Sequence, residues 1–173
     1  MMQSSAKHIG VTFIECLFVV AIIATISSAA MPSFKWLKEI AQQKRVIHQL
    51  QAAVLTARHR SVMLGSGTYL CPPPRGEIKS ISRNPDCGDN YRRGVAIWSE
   101  QVGGWQLLRL WQWSPVTIKN RRGTQVVHAP VAFNARGLAN RNITWSTCVG
   151  ERNLSLVLNR IGRPVTRAGW GRC

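Results

Sequence analysis

Residues 11–30 constrain this chain more than any others, because twenty consecutive residues carry one formally charged side chain, Glu15. A helix of that length rises about 30 Å, enough to cross a bilayer core. A carboxylate at the centre of such a helix costs roughly 2.5–3.5 kcal/mol on insertion scales. The acid therefore reads as a group awaiting a partner. Two plainer readings stay open on the same residues. Lys7 and His8, an apolar core at 13–26 and the small residues Ser28-Ala29-Ala30 would fit a cleaved signal peptide. Glu15 inside that core argues against it, as does the helical pattern resuming after Pro32. A simple membrane anchor with an incidental glutamate is the other.

Past Pro32, residues 33–62 repeat apolar side chains at helical spacing: Trp36, Ile40, Ile47, Leu50, Val54 and Ala57. One long helix is expected, bent near Pro32 and ended by Gly65-Ser66-Gly67. The remainder reads as short strands separated by turn signals, at 68–71, 94–99, 105–113, 116–119, 125–128, 131–134, 142–147 and 154–159, with an edge at 164–166. Residues 72–93, rich in proline and polar side chains, read as a loop. Alternation is poor at 105–113, which predicts burial on both faces. Trp98, Trp105, Trp111, Trp113 and Trp145 are expected in the core. The predicted class is α+β: a long N-terminal helix, its first half transmembrane, packed on an antiparallel two-sheet β-sandwich.

Five cysteines are present. Cys16 falls in the apolar segment and reads as a packed free thiol. The other four suit an oxidising compartment, and of three possible pairings the compact one, Cys71 to Cys87 and Cys148 to Cys173, is expected. Each such loop is worth roughly 3 kcal/mol on the loop-entropy model. A zinc site has no Cys-x-x-Cys or Cys/His cluster behind it.

The start of the chain resembles the class III leader of type IV pilins and pseudopilins: Gly10, an apolar residue, Thr12, two more apolar residues, then Glu15. The resemblance implies prepilin-peptidase cleavage between Gly10 and Val11 and N-methylation of Val11. Pro32 matches the family's helix-kinking proline. Glu15 would neutralise the N-terminal amine of a neighbouring subunit in the fibre, which lowers the cost of burying both charges in lipid. Further along, the helix followed by Gly67-Thr68-Tyr69-Leu70-Cys71, the pair Gly94-Val95-Ala96-Ile97-Trp98 and Gly104-Trp105, and the last strand leading into Gly162-Arg163 resemble the GspH/FimT subfamily of minor subunits. The implied organisation is a leader at 1–10, a transmembrane helix half at 11–31, a periplasmic helix half at 32–64 and a β domain at 65–173. The implied location is the bacterial inner membrane, single-pass, and then a surface fibre. Implied partners are other major and minor pilins, the prepilin peptidase and the membrane.

The formal net charge is +16, and after Glu100 the only acid is Glu151. The tail carries Arg160, Arg163, Arg167 and Arg172 around Trp170, with Gly162 and Pro164 keeping it from helix. Lys119, Arg121 and Arg122 form a weaker second group. Arginine's planar fork suits phosphate, and charge of one sign points to a polyanion. Trp170 offers a stacking face, and a Cys148 to Cys173 bond would turn the tail into a closed loop. Some FimT-like pilins bind DNA through a C-terminal Gly-Arg-x-Arg motif. Gly162-Arg163 matches its first half, but Arg167 falls two positions later than the motif requires. A solvated basic edge is the plainer reading. No nucleophile–base pair, phosphate loop or paired carboxylates stand out, so neither an enzyme nor a cofactor is expected.

Three functions follow. The first is a minor type IV pilin that supports pilus biogenesis and binds DNA without sequence preference, for uptake in natural transformation. The second is a type II secretion pseudopilin whose basic surface meets protein. The third is a freely secreted, disulfide-stabilised binding domain.

Overall fold

The computed structural model describes residues 12–173, side chains at 29–33 excepted. One helix, α1 (Phe13–Leu64), precedes eight strands: β1 (Thr68–Cys71), β2 (Ile81–Ser82), β3 (Gly94–Gln101), β4 (Gly104–Gln112), β5 (Val131–Phe133), β6 (Ile143–Val149), β7 (Arg152–Leu158) and β8 (Pro164–Ala168). The chain separates into two compact units, Met1–Lys38 and Glu39–Cys173.

In the first unit, Phe13, Ile14, Leu17, Phe18, Ile22 and Ile26 are all exposed. Apolar surface on every side marks a helix that needs apolar surroundings. Cys16 is a free thiol and is exposed, not packed as expected. Among the described residues no helix is long and apolar enough to cross a membrane. The span expected at 11–31 includes Val11 and side chains at 29–31, which lie outside the described residues.

In the second unit, Val46, Ile47, Leu50, Ala53, Val54 and Ala57 of α1 are fully buried. Their spacing of three and four places them on one stripe. Trp36 and Ile40 were expected to begin that stripe. Instead Trp36 is exposed and Ile40 half-buried. Helix burial begins at Gln43, whose Nε2 donates to the carbonyls of Thr147 (2.8 Å) and Arg152 (3.1 Å) at the β6–β7 end. Further along, the Thr68 hydroxyl donates to the Ala57 carbonyl and fastens β1 to the helix.

Both sheets are antiparallel. The larger has the order β2-β4-β3-β1-β5 and the smaller β6-β7-β8. Helix and sheets share one core: the α1 stripe with Leu70, Val95, Ile97, Val131 and Phe133 of the larger sheet and Trp145, Leu156 and Leu158 of the smaller. Tyr91 lies fully buried in it, edge-on to Trp145 at 5.7 Å, and its hydroxyl donates to the Ala129 carbonyl at 2.9 Å.

Three expectations are corrected. The strand buried on both faces is β3, not 105–113: Val95 and Ile97 face the helix core, while Ala96 and Trp98 pack with Cys71 on the opposite face. Beyond β4 lies only the two-residue β2, so β4 stays half-buried; Trp105 and Trp111 do likewise, whereas Trp98, Trp113 and Trp145 are buried. Residues 72–93 were expected to hold no strand, yet β2 falls among them and pairs with Gln106 and Trp105. Residues 116–119 and 125–128 form no strands; Lys119 makes single bridges to Val126 and Ser146. There the Asn120 side-chain oxygen accepts the Thr124 N–H, a local bond that competes with ladder pairing. Pro115 and Pro130, which lack N–H donors, flank the stretch.

Candidate polyanion interface

The small sheet has two unlike faces. Leu156 and Leu158 point into the core, so by strand alternation Ser155 points outward. Ser146, Ser155 and Arg167 stand opposite one another across β6, β7 and β8 on that outer face. The neighbour Thr166 points the other way and donates its hydroxyl to Gln51 of α1 at 3.1 Å. Arg167 is exposed.

After Ala168 the chain leaves β8 and folds back across this face as a strap. Gly169, at φ +66°, makes the turn. Its N–H donates to the Asn153 carbonyl at 3.0 Å, and the Gly171 N–H donates to Asn153 Oδ1 at 2.7 Å. The Ser155 hydroxyl also donates to that Oδ1, and it shares a 2.7 Å hydrogen bond with the Ser146 hydroxyl. Gly171 allows the close approach, since a Cβ there would fall 2.7 Å from Ser146 Oγ. The strap ends on the turn at 120–123: the Arg172 N–H donates to the Arg121 carbonyl at 3.0 Å. Cys173 is bonded to Cys148 of β6, and Cys71 to Cys87.

This path joins the two basic groups that the sequence keeps apart. The Arg121 guanidinium lies 4.0 Å and that of Arg167 4.5 Å from the centroid of the Trp170 ring. Trp170, expected to offer a stacking face, carries two guanidinium groups. Arg122 and Arg172 are exposed beside them in sequence. Lys119 is half-buried, tied by two backbone hydrogen bonds to Ser146, and lines a cavity of about 360 Å³ with Cys148 and Cys173. Among the described residues, none of Arg121, Arg122, Arg160, Arg163, Arg167 and Arg172 forms an ion pair.

Arg160, Gly162 and Arg163 occupy the β7–β8 turn, at the other end of β8. Arg163 and Arg167 are about 13 Å apart along an extended chain. Gly162 is buried at φ +78°, and a Cβ there would lie 2.3 Å from the Gly137 carbonyl oxygen. Its burial and positive φ suit it to shaping the turn. The tail arginines thus divide into a turn group and a strap group.

Two contributing residues escaped the sequence reading. Asn153 anchors the strap, and Arg58 of α1 runs its side chain past Gly137 and Gly162 into the β7–β8 turn. Nothing in their local sequence marks either one, because their partners lie far along the chain.

At the start of the chain, Gly10 and Val11 lie outside the described residues. Glu15 stands in the first turn of α1, where its Oε2 accepts the Thr12 N–H at 2.8 Å and the Thr12 hydroxyl at 2.9 Å. A glutamate three residues after the cap residue commonly satisfies an orphan N–H this way. The carboxylate therefore has a partner within its own chain.

No protein-family model and no curated protein match this chain. Its fold is similar to that of the type IV minor pilin FimU of Pseudomonas aeruginosa strain PAO1, in two crystal forms. One gives a TM-score of 0.53 at 15% identity, covering 78% of this chain and 98% of that one. The other gives 0.52 at 15% identity, covering 74% and 98%. At that identity the likeness is one of fold: an N-terminal helix packed on antiparallel sheets.

Proposed function

We propose that this chain is a minor type IV pilin of the GspH/FimT kind. It is cleaved after Gly10, N-methylated on Val11, held in the inner membrane by residues 11–31 and then built into a fibre with other pilins. The fold shared with a minor pilin carries this reading, and the leader pattern through Glu15 supports it. The exposed apolar helix of the first unit fits a segment that neighbouring subunits or lipid would cover. N-terminal sequencing of the protein from sheared fibres tests it: methylated Val11 is the expected first residue. A start at Met31, or absence from the fibre fraction, rejects it in favour of a secreted domain.

Within that role we infer that the basic face captures DNA without sequence preference, for uptake. Arg121, Arg122, Arg160, Arg163, Arg167 and Arg172 form no ion pair among the described residues, and contacts to phosphates carry no sequence information. In a gel-shift titration the logarithm of affinity should fall with log salt by about 0.9 per phosphate neutralised. A chain that enters fibres yet ignores duplex DNA at low salt would instead suit a secretion pseudopilin whose basic surface meets protein.

A further inference from the structure

We propose that Arg121 and Arg167 form a two-guanidinium clamp for the phosphodiester backbone, with Trp170 as the residue that positions both. The clamp, and not the Gly162-Arg163 turn, would be the strongest contact with nucleic acid. This deepens the DNA-capture reading and rests on it.

Three observations carry it. Both guanidinium groups lie within 4.5 Å of one ring centroid, so their places are set before a ligand arrives. A free arginine must surrender much rotamer freedom to bind, and a stacked one has already done so. The ring itself is held: its strap is fixed by Asn153, by the Arg121 carbonyl and by the Cys148 to Cys173 bond. Finally, the two like charges stand within roughly a Debye length (~8 Å at physiological salt) of each other, and neither has a carboxylate partner among the described residues. A phosphate between or beside them relieves that repulsion. The fork geometry of each group matches phosphate oxygens. Among the described residues the turn arginines, Arg160 and Arg163, have no ring contact to order their guanidinium groups.

The test uses the full chain in detergent and a labelled mixed-sequence DNA duplex, followed by fluorescence anisotropy at several salt concentrations. Arg121→Gln should weaken binding as much as Arg167→Gln does, and each should flatten the log–log salt slope by about 0.9. Trp170→Ala removes no charge, so it should weaken binding about threefold with the slope unchanged. Arg121→Lys keeps the charge and loses the planar stack, and should behave like Trp170→Ala even if that variant folds poorly. Trp170→Phe should restore most of the loss. If Arg121→Gln binds as the parent does while Arg160→Gln or Arg163→Gln fails, the clamp is refuted and DNA capture stands. If the parent ignores duplex at low salt, or binds vesicles of anionic phospholipid and not duplex, both readings fall.

Discussion

The Arg121 guanidinium carbon lies 4.0 Å from the centre of the Trp170 ring, and its Nε–H donates to the Trp170 carbonyl at 3.4 Å, across 49 residues of chain. A turn in the middle of the β domain and the end of the tail become one surface through this contact. The charge that would bind a polyanion is therefore assembled by folding, and its strength depends on how firmly the strap is held.

The Cys148 to Cys173 bond should hold it. The bond spans 25 residues, a loop worth roughly 3 kcal/mol on the entropy model. Cys173→Ser should lower unfolding stability by about 2–4 kcal/mol in denaturant titrations. Amide exchange at Gly169, Gly171 and Arg172 should rise more than at β3. A strap whose exchange stays unchanged would mean that the Asn153 bonds suffice alone.

Gly162 is expected to matter for shape and not for contact. Alanine there needs a left-handed backbone and meets the Gly137 carbonyl. Gly162→Ala should cost about 1–3 kcal/mol of stability. DNA affinity per folded molecule should change less than twofold, an order-of-magnitude bound set by the unaltered charge. A large loss of affinity in a fully folded variant would return this glycine to the binding site.

For Glu15 the in-chain bond to Thr12 separates two roles. Glu15→Gln keeps an oxygen for the Thr12 N–H and loses the charge, whereas Glu15→Ala loses both. If charge pairing with a neighbour drives assembly, both variants should be processed normally and both should be depleted from sheared fibres by immunoblot. Wild-type incorporation of Glu15→Gln would leave capping as the residue's task.

Alkaline pH should destabilise the β domain through Tyr91. Burial pushes its hydroxyl well above the ordinary tyrosine range. Stability is fully present below the unfolded value of about 10 and declines as pH rises beyond it, because only the unfolded chain can release that proton. Tyr91→Phe should remove this decline while costing about 1–3 kcal/mol at neutral pH through the lost bond to the Ala129 carbonyl. Urea midpoints at neutral and alkaline pH check both; a decline that persists in Tyr91→Phe assigns it elsewhere.

Much of the fold was legible because it rests on local patterns. The repeat of Ile47, Leu50, Val54 and Ala57 marks a helix face whatever covers it. Strands β1, β3, β4, β5, β6 and β7 came from runs of apolar and β-branched residues between turn signals. Where pairing depends on a distant partner, the local pattern misled. Ile81 and Ser82 become a strand only because β4 has a free edge. Residues 116–119 and 125–128 look like strands, but the Asn120 side chain and the flanking prolines leave them single bridges.

The same division holds for the candidate site. Charge, arginine content and cysteine spacing are properties of the chain itself, so a basic tail closed by Cys173 could be read directly. Only the tertiary structure decided which arginines act together. Arg163 and Arg167, four residues apart, are drawn to opposite ends of β8 because an extended chain separates its residues steadily. Arg121 and Arg167 are brought onto one ring because the strap crosses the sheet, and that crossing depends on Asn153, Ser146 and Gly171, whose partners are neighbours in space and not in sequence.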